Sequence, residues 1–202
     1  MTAITVALPK PAALLFVLLP DVGQPLDELQ AFGQRIARSF PYAAVVCLPA
    51  ETSATALWQQ LQQWQAQMGV NHERTCVVAL GQSGTAALDV AVAHEAAIAR
   101  LYVVGSRFSA LPDSMHLNTC VHMLHGKADP VMPFQAATEA GAHLRALDAD
   151  FTVDVYPMTG REFTDEMQER ILHLLQNHVP KRLWKEAMAQ SAQQQEGNDT
   201  VH

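Results

Sequence analysis

The stretch CVVALGQSGTAALDVAVAH, Cys76–His94, joins an unbroken apolar run to a glycine-flanked turn and then to an alanine-rich segment. An apolar run of this length that ends at a glycine reads as a strand covered on both faces. The small residues after it suit a helix that packs closely back onto that strand. Ser83 stands at the junction, with Gly81 two residues before it and Gly84 directly after it. Two readings are open there. A serine on a sharp strand-to-helix turn is held out as a nucleophile, and small neighbours let the two elements approach. A serine at the same junction can equally be the N-cap of an ordinary helix.

Working outward, apolar runs recur at Ala13–Leu19, Ala43–Leu48, Thr75–Leu80, Arg100–Gly105, Thr119–Leu124 and Phe151–Tyr156. The first five are nearly continuous, as parallel strands under two helical layers are, whereas the last alternates as an edge strand does. Helical spacing falls between them, over about 25–38, 54–68, 84–97, 133–148 and 163–177. Leu26, Leu29, Phe32 and Ile36 share one face, and so do Leu57, Leu61, Trp64 and Met68. Strands alternating with helices imply right-handed βαβ units. The fold class expected is α/β: a three-layer α/β/α sandwich with a mostly parallel sheet of about six strands. One domain over 1–188 is expected, followed by a disordered Gln-rich tail over 189–202.

The composition narrows the function. The chain has 202 residues, a formal charge of −7 and 49% hydrophobic residues. That acidity excludes a nucleic-acid surface, which needs a basic patch. Cys47, Cys76 and Cys120 sit in apolar runs without CxxC spacing, as buried reduced thiols do. No histidine spacing of the H-x-H or H-E-x-x-H kind points to zinc, so no metal or cofactor is expected. The apolar stretch from Ala12 is too short to span a bilayer, and a cytoplasmic location is expected.

A second chemical feature lies two elements beyond the serine. HGKADPVMPF places His125, Gly126 and Asp129 just after a strand, and a nucleophile-then-acid order fits a serine hydrolase. With LLFVLLPDVGQPLDEL, LYVVGSRFSALP and the closing HVPKRLWKEAM, the chain resembles the carboxylesterase/phospholipase branch of the α/β-hydrolases, the small bacterial serine esterases in particular. The resemblance covers about residues 12–190. It implies that Ser83 matches the nucleophile and Asp129 the acid, and that the expected substrate is a small acyl ester.

The pattern breaks in four places. The motif is G-x-S-x-T rather than G-x-S-x-G. Where the resemblance calls for a histidine after the last core strand, Gly160 is followed by Arg161, and an arginine cannot accept a serine proton. At the oxyanion side the chain has Pro20-Asp21 in place of a His-Gly pair, so backbone donors would come from Val22 or Gly84. CLPAETSATALWQQL passes from strand to helix without the segment that shapes an acyl pocket. His125 is the candidate substitute base, and Glu162, beside the lost histidine, is a weaker one. Arg161 is expected to pair with Asp129, or else to form a carboxylate-binding site with Ser83 and the helix start at Gly84. The reading is a degenerate esterase with a binding or regulatory role, monomeric or homodimeric. The alternative is an active esterase or thioesterase that uses Ser83 with an unusual base, and a doubly wound binding domain unrelated to hydrolases ranks behind both.

Overall fold

The computed structural model describes residues 3–116 and 118–199, with side chains of the last helix as far as residue 191. Seven strands form one sheet: β1 (Ile4–Ala7), β2 (Leu14–Leu19), β3 (Ala43–Cys47), β4 (Thr75–Leu80), β5 (Arg100–Val104), β6 (Cys120–Gly126) and β7 (Asp150–Tyr156). Their spatial order is β1-β3-β2-β4-β5-β6-β7, and every pair is parallel except β1 with β3. Six of these strands are those read from the apolar runs. The seventh, β1, is a four-residue antiparallel edge whose half-buried side chains give it no periodic signal.

Alternation along the parallel strands divides the core between two faces. Leu15, Val17, Val46, Val77, Leu101, Val103 and Val121 face α2 (Ala54–Met68), α3 (Gly81–Ala93) and α4 (Gln135–Ala146). Phe16, Leu18, Val45, Val78, Tyr102 and Leu124 face α1 (Asp27–Ser39) and α5 (Asp165–Asn177). Because each strand is covered twice, each must be apolar on both sides, which is why these runs lack alternation. β7 lies at the sheet edge and its interior is only half-buried.

Two boundaries differ from those read in the sequence. Helix α3 starts at Gly81, directly after β4, rather than at Gly84. Helix α6 (Lys181–Asp199) runs through the segment expected to be disordered from Ala189. Its alanines and glutamines are good helix formers, and a helix can continue on such propensity beyond its last packed turn. Residues 200–202 of that expected tail lie outside the described residues. No described helix is long and apolar enough to cross a membrane.

Helix α5 is held to the sheet by fully buried Met167 and Ile171. Replacing Ile171 with alanine should therefore cost about 2–5 kcal/mol, read as a lower urea midpoint with an unchanged slope.

Candidate active site

The loops that leave the carboxyl ends of β2, β4, β5, β6 and β7 gather at one edge of the sheet, the edge at which open α/β folds build their sites. They bring together Asp21 after β2, Gly81 after β4, Gly105 after β5, Asp129 after β6 and Arg161 after β7.

The turn from β4 into α3 is made at Gly81, whose φ is +53°. The left-handed region costs an L-residue about 1–2 kcal/mol, so a glycine suits the position. The residue on the sharp strand-to-helix turn is thus Gly81 and not Ser83. Ser83 lies in the first turn of α3 and is fully buried. Its hydroxyl donates to the Pro20 carbonyl at 2.6 Å and accepts from the Glu51 N–H at 3.1 Å. It ties the loops after β2 and β3 to the start of α3. It is not the N-cap either, since that position belongs to Leu80. Gly84 is a site of close approach, because a Cβ there would lie 2.9 Å from the Ala79 carbonyl and would run into the Ser106 side chain.

The space above the elbow is filled by Asp21, whose side chain is 2% exposed. Its Oδ1 accepts from the Val22 N–H at 2.8 Å and from the Gln82 N–H at 2.9 Å. Its Oδ2 pairs with the Arg161 guanidinium. A serine hydrolase of this architecture holds the reaction oxyanion with the N–H of the residue after the elbow and an N–H from the loop after an early strand. Gln82 follows Gly81 and Val22 lies in the loop after β2, and both of their N–H groups are taken by Asp21 Oδ1, whereas Gly84 contributes no N–H to it.

Arg161 is therefore not the partner of Asp129. Asp129 Oδ1 accepts from the Val131 and Met132 N–H groups at 2.8 and 2.9 Å, and Oδ2 has no hydrogen-bond partner among the described residues. That oxygen faces the empty side of Gly105, where a Cβ would lie 3.3 Å away. The buried imidazole of His125 donates from Nε2 to the Met132 carbonyl at 2.7 Å, so it holds the same loop as Asp129 rather than facing a hydroxyl. Exposed Glu162 accepts from the Gly160 N–H at 3.0 Å. That bond and its neighbours hold its carboxyl below the ordinary carboxylate range, which weakens it as a base.

Asp21, Gln24, Leu80, Gly81, Arg161 and Phe163 enclose a cavity of about 10 Å³. That is room for a single water and not for an acyl chain. The sequence does not reveal this arrangement through its Gly-x-Ser spacing. The usable signal was that Gly81 directly abuts the apolar strand, which makes it the first residue past the strand end.

Comparison with known proteins agrees with this architecture. Residues 50–179 match the model of the phospholipase/carboxylesterase family of α/β-hydrolases. The chain is 25% identical over 207 residues to esterase YpfH of Escherichia coli, covering 89% of each. Its fold is similar to that of esterase PE8, with a TM-score of 0.75 and 19% identity over 88% of this chain and 97% of that one. It is also similar to a phospholipase/carboxylesterase of Dyadobacter fermentans, with a TM-score of 0.72 and 14% identity over 87% and 96% of the two chains.

A methyl group built on Gly81 would collide with the Asp21 carboxylate. Gly81→Ala should thus lose several kcal/mol in wild type, but only the left-handed penalty of about 1–2 kcal/mol in an Asp21→Gly background. A urea-unfolding double-mutant cycle measures that difference.

Proposed function

The chain belongs to the phospholipase/carboxylesterase family of α/β-hydrolases, and from that premise we propose that it is a non-hydrolytic member whose role is binding or regulation. The observation that carries this reading is the Asp21 carboxylate bonded to the N–H groups of both Val22 and Gln82. Acyl transfer needs an attacking electron pair, a base to take its proton and donors for the oxygen that becomes negative. The elbow residue is a glycine, which has no side chain to attack. Its neighbour Ser83 has its proton on the Pro20 carbonyl and no exposed surface. Arg161 stands where the base would be, and it carries no lone pair at physiological pH. The oxyanion donors already hold a full negative charge, so a carbonyl oxygen has nothing to replace unless Asp21 leaves.

An esterase that used Ser83 would need a base beside it. His125 gives its Nε2 proton to Met132, and Glu162 is exposed with a depressed pKa. Neither supports that alternative. The ligand chemistry that suits the remaining donors is a small carboxylate, or the acyl oxygen of a small ester, entering in place of the Asp21 carboxylate. Two N–H groups and a guanidinium recognise such a group as they now recognise Asp21.

In p-nitrophenyl acetate and butyrate assays, wild type and Ser83→Ala should release p-nitrophenol at the same rate, within twofold of the buffer background. Ser83→Ala should instead lower stability by about 1–3 kcal/mol, because the Pro20 carbonyl loses its buried donor and the part-buried Glu51 N–H loses its acceptor. Turnover in wild type that Ser83→Ala abolishes would overturn the proposal.

A further inference from the structure

The opposite edge of the sheet carries a second constellation that the catalytic frame does not use. Cys120 opens β6 and Asp150 opens β7, and the parallel register sets them side by side. His122, two residues along β6, projects from the same face as Cys120. His178, the residue that ends α5, folds back over that face. Cys120 Sγ lies 3.2 Å from His122 Nε2 and 3.2 Å from His178 Nε2, and the three donor atoms lie within 4.8 Å of one another. Asp150 Oδ1 is 3.2 Å from His178 Nε2. We propose that Cys120, His122, His178 and Asp150 form a binding site for a single Zn²⁺ at the amino-terminal edge of the sheet.

The donor set is one thiol, two imidazoles and one carboxylate, a combination that zinc takes in tetrahedral sites. Zn–S bonds of about 2.3 Å and Zn–N or Zn–O bonds of about 2.0–2.2 Å give tetrahedron edges of roughly 3.3–3.6 Å. The contacts of 3.2 Å around Cys120 and His178 fall close to those edges, and the two imidazole nitrogens, which lie within 4.8 Å of each other, draw together around an ion.

The surroundings orient the donors as a metal site requires. His122 Nδ1 lies 2.9 Å from Thr152 Oγ1, which faces it in the β6–β7 register and leaves Nε2 turned to Cys120. The His122 ring stacks on Tyr102 and meets His178 edge-on. Asp150 Oδ2 accepts from the Lys181 N–H at 2.7 Å, which fixes the carboxylate with Oδ1 towards His178. Arg100, the nearby cation, is engaged by the Leu174, Leu175 and His178 carbonyls at the end of α5. His122 and Cys120 are buried, whereas His178 is partly exposed and gives an ion a way in.

The test uses the full chain without an affinity tag, stripped with chelator and titrated with Zn²⁺ and with Co²⁺ as a spectroscopic stand-in. One Zn²⁺ per chain is expected, and Co²⁺ should give a thiolate-to-cobalt charge-transfer band. Cys120→Ser should abolish that band, and Thr152→Val should weaken Zn²⁺ about 10- to 100-fold with every ligand in place. His173→Gln, on the exposed face of α5, should change nothing. Unfolding scans in Zn²⁺ should show a raised midpoint for wild type and none for Cys120→Ser. Should Cys120→Ser fail to fold, the wild-type cobalt spectrum decides. The proposal is overturned by a Co²⁺ complex lacking the thiolate band, by failure to retain stoichiometric Zn²⁺, or by equal affinity in a folded Cys120→Ser.

Discussion

The Asp21 carboxylate is the constraint on which the site depends. It is almost wholly buried, and a charge in that position needs partners on every side. It finds two backbone N–H groups, Val22 and Gln82, and one guanidinium, Arg161. Val22 and Arg161 come from the loops after β2 and β7 and Gln82 from the first turn of α3, so one side chain joins the segments after β2, β4 and β7. The glycine at residue 81 belongs to the same arrangement, since a side chain there would occupy the volume of the carboxylate. Asp21, Gly81 and Arg161 thus form a self-consistent set: change any one of them alone and either a charge is stranded or two groups overlap.

The set also accounts for what surrounds it. Ser83 draws together the loops beside Asp21 through Pro20 and Glu51, and the connection from β3 to α2 is short, residues 48–53. Asp129 keeps a satisfied Oδ1, and its Oδ2 has no hydrogen-bond partner among the described residues. The parallel sheet gives the molecule two chemically distinct edges. Its carboxyl edge holds the Asp21–Arg161 pair, and its amino edge gathers a thiol and two imidazoles around Cys120, with the Asp150 carboxylate beside His178.

Much of this frame was legible in the sequence. Near-continuous apolar runs identify β2 to β6 because strands covered on both faces must be apolar throughout. The β1 edge is not legible because its four residues, three half-buried and Thr5 exposed, form too short a run to carry a period. The absence of a histidine between Pro157 and Leu172, in the loop after β7, and the presence of Arg161 there are equally plain. Which residue turns the elbow is not given by the Gly-x-Ser spacing; it follows from Gly81 standing directly past the apolar strand, and the positive φ at Gly81 bears that out. The partner of Arg161 was hidden for a related reason: Asp21 and Asp129 are both loop carboxylates, and nothing in their order says that backbone N–H groups already satisfy one Asp129 oxygen. The Cys120 cluster was missed because its members come from two strands and a helix end, whereas motif spacing reports only neighbours in sequence.

The proposed loss of hydrolysis requires that no side chain at the elbow be an activated nucleophile. Labelling of the purified chain with an alkyl fluorophosphonate, followed by intact mass and peptide mapping, tests it most directly. The account predicts that the mass stays that of the unmodified chain under conditions that fully label an active serine esterase. A stoichiometric adduct on Ser83 would contradict it.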